Sequence, residues 1–107
     1  MLRLGALVMR VSDVDRAAGF WSAALGYETH PVNPAFLAPT GSPGTRLHLD
    51  DDDRTHVDLW ADDEADQQVQ VERLLSLGAS RVDWDYPDDA DFVVLADPDG
   101  NLFCVVA

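Results

Sequence analysis

Apolar and polar residues alternate in several short stretches of the chain, and two longer stretches carry apolar residues at helical spacing. The stretch LGALVMRV at 4–11 is rich in β-forming residues and predicts a strand. Next, Ser12 followed by Asp15 is typical of a helix start, and Gly26 is typical of a helix end. Five apolar residues between them share one helical face: Val14, Ala17, Ala18, Trp21 and Leu25.

The same succession recurs in the second half. HVDLWA at 56–61 alternates as a strand does, and DDEAD at 62–66 places carboxylates where a helix N-terminus favours them. The helix that follows turns Val71, Leu74 and Leu75 inward. Its end is predicted at Gly78. Gly78 follows a leucine, and so does Gly26, which lies 52 residues earlier.

Each predicted helix is followed by three short β segments. In the first half they are 27–30, 34–38 and 45–49, and in the second half they are 80–84, 91–96 and 102–106. The turns PTGSPG and DPDGN precede the last segment of each half, and Asp, Pro and Gly in DPDGN suit a type I turn. The repeat predicts one α+β domain, residues 1–107, built from two βαβββ modules at about 1–50 and about 55–107.

Strand alternation separates a face that packs under the helices from a face that carries chemistry. Val57, Leu59 and Ala61 suit the helix side, so the residues between them point the other way. The same reasoning turns Phe103 and Val105 towards the second helix. The side chains expected on the opposite face are Arg10, Arg46, His48, His56, Asp58, Trp60 and Cys104. Such side chains together indicate the wall of a pocket.

Composition and charge narrow the classes of partner. The chain has 107 residues, 47% of them apolar, and a net charge of −13. That charge argues against nucleic acid and anionic membranes as partners, and it favours cationic small molecules or metal ions. No apolar run is long enough for a membrane helix, and no signal peptide is recognised. A single cysteine fits a reducing compartment, so a cytoplasmic location is expected.

The sequence resembles the short glyoxalase-like members of the glyoxalase/bleomycin-resistance/dioxygenase group, the vicinal oxygen chelate superfamily. Four stretches carry the resemblance: VSDVDRAAGFWSAALGY, HVDLWADD, ERLLSLGA and VVLADPDGNLFCVV. The resemblance implies that the two modules form an open β-cup with the helices on its outer face, and that two chains form a homodimer. It also implies that enzymatic members hold one divalent metal ion in the cup, with ligands from both modules.

The family's metal ligands carry over only in part. His56 matches the histidine that opens the second module, whereas Ala6 stands at the corresponding place in the first. Cys104 stands where many members have a glutamate, and His48 is the residue able to serve near the end of the first module. The resemblance therefore gives His56, His48 and Cys104 as a metal set. The alternative is that Cys104 is a small apolar-like side chain and the metal site has been lost.

Two functions remain open at this point. The first is a metal-assisted lyase or isomerase in which His56 is central and Asp58 orients it or acts as a base. The second is a non-catalytic protein of the bleomycin-resistance type that sequesters a cationic aromatic compound. In either case the partner is a small molecule. The residues expected to contact it are Trp60, Arg10, Arg46, Trp84 and Tyr86.

Overall fold

The computed structural model describes residues 1–41 and 43–107, and its elements follow the predicted order. They are β1 (Arg3–Arg10), α1 (Val14–Leu25), β2 (Glu28–Thr29), β3 (Phe36–Ala38), β4 (Arg46–Asp50), β5 (His56–Trp60), α2 (Glu64–Ser76), β6 (Ser80–Arg81), β7 (Phe92–Ala96) and β8 (Leu102–Val106). This order confirms an α+β fold with the βαβββ pattern twice. The residues form two compact units, Gly5–Thr55 (the first unit) and Met1–Leu4 with His56–Ala107 (the second unit).

In the first unit, the strands lie in the order β2-β3-β4-β1, with β1 and β4 parallel. Helix α1 packs on this sheet through a buried core of Ala18, Leu37, Leu47 and Leu49. Three of the other predicted inward residues of α1 pack against that core, namely Val14, Ala17 and Trp21. The predicted inward position of Leu25 is wrong, because this residue ends the helix and remains 49% exposed.

The start of α1 differs by one residue from the prediction. The Asp13 side chain caps the helix by accepting a hydrogen bond from the Arg16 backbone N–H at 3.1 Å. The Ser12 hydroxyl, which the sequence pattern favours as the cap, instead accepts a bond from the Arg16 guanidinium at 3.0 Å. The predicted end is confirmed, since Gly26 adopts the left-handed conformation with φ of 69°.

In the second unit, the strands lie in the order β5-β8-β7-β6, with β5 and β8 parallel. Helix α2 packs on this sheet through a buried core of Val71, Leu95, Phe103 and Val105, against which Val57 and Leu59 also pack. The apolar residues of β5 and β8 thus face the helix, as predicted. Because neighbouring residues on a strand point to opposite faces, Asp58 and Cys104 lie on the other side of the sheet.

One polar residue is buried between α2 and its sheet. The Gln67 side chain is 7% exposed, and its amide nitrogen donates to two backbone carbonyls, those of Asp91 at 2.9 Å and Val105 at 2.8 Å. Asp91 immediately precedes β7, and Val105 lies within β8. The amide therefore fastens the start of α2 to the strand that carries Cys104.

The segment DPDGN forms the tight turn that joins β7 to β8. The Asp97 carbonyl accepts from the Gly100 N–H at 2.9 Å, which is the bond expected between the first and fourth residues of such a turn. A hydrogen bond from the Asn101 side-chain amide, then bonds from backbone N–H groups, hold the pKa of Asp97 below its ordinary value. The other predicted turn, PTGSPG at 39–44, includes Ser42, which lies outside the described residues.

The helices are short. They contain 12 and 13 residues, and within the part of the chain that the structure describes neither is long and apolar enough to cross a membrane.

Candidate functional site

The pairing of β5 with β8 brings three chemically active side chains together. The two strands are parallel, and Asp58 is the direct partner of Cys104 in their register. Paired residues of neighbouring strands project to the same face of a sheet, as do residues two apart on one strand. His56, two residues before Asp58, therefore joins them on the face opposite α2.

The three groups are close enough to act as one cluster. One ligand atom each from the His56 ring, the Asp58 carboxylate and the Cys104 thiol lie within 4.8 Å of one another. The His56 Nε2 lies 3.3 Å from the Asp58 Oδ1, and these side chains are only 10% and 16% exposed. Cys104 is half-buried. The result is a sheltered group of nitrogen, oxygen and sulfur donors within the second unit.

The donor set suits a divalent cation. Zinc binds nitrogen and oxygen at about 2.0–2.2 Å and sulfur at about 2.3 Å, so tetrahedral ligands lie roughly 3.5 Å from one another. The 3.3 Å between the His56 Nε2 and the Asp58 Oδ1 already matches this spacing, and the 4.8 Å limit for the whole group leaves about 1 Å for side-chain rotation. Three protein ligands would leave the fourth position of a tetrahedral ion open to a substrate.

The charges of the cluster also favour a divalent cation. The Asp58 carboxylate is an anion, and a Cys104 thiolate at this distance would add a second negative charge to a partly desolvated face. A divalent cation would balance both charges, and metals bind imidazole in its neutral form.

The sequence-predicted metal set included His48, and the structure places this residue in the first unit. His48 lies on β4, where its ring makes an edge-to-face contact with Phe36 at a centroid distance of 4.6 Å. Among the described residues, the three side chains with metal-binding spacing are His56, Cys104 and Asp58, so Asp58 takes the place expected for His48. From the sequence, Asp58 is expected to orient His56 or to act as a base. The signal that makes it a candidate donor is the His-x-Asp spacing on β5 combined with its register opposite Cys104.

The three aromatic residues predicted to contact a ligand differ in what surrounds them. The Trp60 ring, at the end of β5, already has the Arg3 guanidinium 6.0 Å from its centroid. Trp84 and Tyr86 lie in the segment between β6 and β7 and are 39% and 38% exposed. The Tyr86 hydroxyl accepts a hydrogen bond from the Val94 N–H at 2.7 Å, so its ring is held against the edge of β7.

The two predicted arginine contacts both lie in the first unit. Arg10 ends β1 and Arg46 begins β4, and both side chains are exposed. The Arg10 backbone N–H donates to the Thr55 hydroxyl at 3.1 Å. Their contact with a ligand stays a prediction.

The βαβββ pattern, present twice, indicates the class of protein to which this chain is related. The family model described as glyoxalase-like domain matches residues 6–106, which is nearly the whole chain. The chain therefore belongs to the glyoxalase-like domain family, within the vicinal oxygen chelate superfamily.

The chain also matches solved structures. The chain is similar to a glyoxalase/bleomycin resistance protein/dioxygenase superfamily member from Vibrio splendidus 12B01, at 17% identity and a TM-score of 0.53, over 98% of this chain and 97% of the other. It also matches a glyoxalase/bleomycin resistance protein from Albidiferax ferrireducens T118 at 17% identity, a TM-score of 0.42 and 95% of each chain. A search of curated proteins finds no match. At these identities the likeness concerns the fold alone.

Proposed function

We propose that this chain binds a small oxygen-bearing organic molecule and one divalent metal ion, and acts on that molecule as a lyase or isomerase. The observation that carries the proposal is the convergence of His56, Asp58 and Cys104 within 4.8 Å on a sheltered strand face. The three residues would hold the ion. When bound, the metal would polarise a substrate oxygen as a Lewis acid.

The chain's own residues supply orientation and proton transfer. The Asp58 Oδ1 and the His56 Nε2 lie 3.3 Å apart, as two ligand atoms of one ion would, so both side chains already project towards the same point. A carboxylate has two oxygens, so Asp58 can serve as a donor through one and accept a proton from the substrate through the other. The apolar residues of β5 and β8 on the opposite face hold the two strands against α2 and so keep this geometry.

A second candidate function is sequestration of a cationic aromatic compound without chemistry. The observation that favours it is the segment between β6 and β7, where Trp84 and Tyr86 are more than one third exposed. Four aspartates are close to these residues in sequence: Asp83 and Asp85 flank Trp84, and Asp88 and Asp89 follow Tyr86. Aromatic faces beside carboxylates suit a flat cation. Trp60 suits it less, since Arg3 already lies over its ring.

Metal analysis separates the two candidates. We expect the protein purified without added metal to carry about one zinc ion per chain, since three donors with an open fourth position are typical of catalytic zinc sites. The His56→Ala variant should lose that zinc while circular dichroism shows an unchanged fold. The His30→Ala variant, a matched change on a loop of the first unit, should keep it.

Other outcomes count against the first proposal. Protein that neither carries nor takes up zinc, but whose tryptophan fluorescence responds to a cationic aromatic compound, would support sequestration. Protein that shows neither behaviour would contradict both candidates.

A further inference from the structure

One donor atom of the cluster is sulfur. A sulfur ligand affects which metal ion a site prefers and whether the ion stays bound when the site is oxidised. We propose that Cys104 makes this a thiolate-ligated site that selects zinc-type ions over magnesium and manganese, and that oxidation of the sulfur releases the ion. The proposal rests on the metal-binding part of the proposed function and concerns the selectivity and regulation of the same site.

The backbone around Cys104 is fixed on both sides. Cys104 lies in the middle of β8, paired with Asp58 on β5 and with Val94 on β7. Its neighbours in sequence, Phe103 and Val105, are buried against α2. The sulfur therefore has only the rotation of its own side chain, and in its present position it lies within 4.8 Å of the nitrogen and oxygen donors. The paired strands on both sides therefore hold Cys104 in the cluster.

The chemistry of the donors sets the choice of ion. Thiolate and imidazole are ligands that zinc and its neighbours prefer, whereas magnesium and manganese prefer oxygen. Asp58 alone offers oxygen to the cluster, and the other two donors offer nitrogen and sulfur. A glutamate in place of Cys104 would give a site with two carboxylates. The sulfur thus moves the preference towards zinc.

The same sulfur makes the site sensitive to peroxide. The Cys104 thiolate attacks one oxygen of hydrogen peroxide, an S–O bond forms, and the O–O bond breaks. The sulfur loses two electrons and becomes a sulfenic acid, while the peroxide is reduced and the departing hydroxide takes a proton from solvent to become water. Sulfenic acid is a weaker ligand than thiolate, so the ion would then be held by His56 and Asp58 alone. Cys104 is half-buried, which leaves a path for a molecule as small as peroxide.

Cobalt(II) reports directly on sulfur ligation. Cobalt added to the metal-free protein should give the near-ultraviolet charge-transfer absorption of a sulfur–cobalt bond. The Cys104→Ser variant keeps His56, Asp58 and nearly the same volume, so it should bind cobalt without that band. Competition titrations should show zinc preferred over manganese by at least about 100-fold in the natural protein, with a much smaller ratio in the variant.

Peroxide treatment tests the release. Zinc-loaded protein mixed with hydrogen peroxide and a coloured zinc chelator should release its ion, and a thiol reductant should restore binding. Zinc-loaded Cys104→Ser is the matched control, because it contains the same methionines and lacks only the thiol. This variant binds zinc more weakly, so it is loaded with excess zinc, and the amount that the chelator takes from it should be the same with and without peroxide.

The outcomes distinguish this proposal from the one on which it rests. Zinc binding without a sulfur–cobalt band, and with the same selectivity and peroxide response in Cys104→Ser, would overturn the role of the sulfur and leave metal binding by the protein in place. Failure of the natural protein to bind zinc or cobalt would overturn both proposals.

Discussion

Replacing Asp58 by asparagine is expected to weaken zinc binding by about 100-fold or more, since loss of a group that merely supports a ligand already costs roughly 10–100-fold. Asparagine has nearly the same size as aspartate but offers a neutral, weaker oxygen donor. The His56 Nε2, 3.3 Å from the carboxylate, would remain as a ligand. The His48→Ala variant should bind zinc as the natural protein does. Calorimetric titration of the metal-free proteins measures both affinities.

A third variant controls for the change in net charge. Asp51→Asn removes one negative charge from an exposed position in the turn after β4, so any general effect of net charge appears there too. If His48→Ala lost zinc while Asp58→Asn kept it, the ligand set would be the one that the family resemblance gives, with His48 in place of Asp58.

Replacing Gln67 by leucine is expected to lower the free energy of unfolding by about 1–3 kcal/mol, because it removes two hydrogen bonds that each contribute about 0.5–1.5 kcal/mol. The side chain donates to the carbonyls of Asp91 and Val105, at 2.9 and 2.8 Å, and leucine fills a similar volume without donating. Urea unfolding followed by circular dichroism measures the change.

Gln68→Leu is the control for this substitution, since the adjacent glutamine is exposed on the same helix. It should change stability by less than about 0.5 kcal/mol, as surface substitutions usually do. Equal stabilities for the two variants would show that the buried amide contributes nothing, and the link between α2 and β8 would have to be explained by apolar packing alone.

The periodicity of apolar residues was enough to predict the architecture. Strand alternation in HVDLWA assigned Val57 and Leu59 to the helix side and His56 and Asp58 to the other, and the structure confirms that Val57 and Leu59 pack under α2. The left-handed Gly26 was predicted for a local reason as well, because a helix that ends in this way favours glycine. These features depend on neighbours in sequence.

The features that the sequence did not predict depend on contacts between distant residues. Gln67 is buried beside two carbonyls, 24 and 38 residues away in sequence, that accept hydrogen bonds from its amide. Asp58 becomes a candidate ligand only through the β5–β8 register, which pairs it with Cys104. The family pattern directed attention to His48, since it expects ligands from both modules. The donors with suitable spacing instead come from two adjacent strands of one unit.

Anomalous diffraction from crystals grown with zinc, recorded on both sides of the zinc absorption edge, tests the metal site most directly. We expect one strong peak per chain, within bonding distance of a His56 nitrogen, an Asp58 oxygen and the Cys104 sulfur. A peak elsewhere on the chain, or crystals that contain zinc at no fixed position, would contradict it.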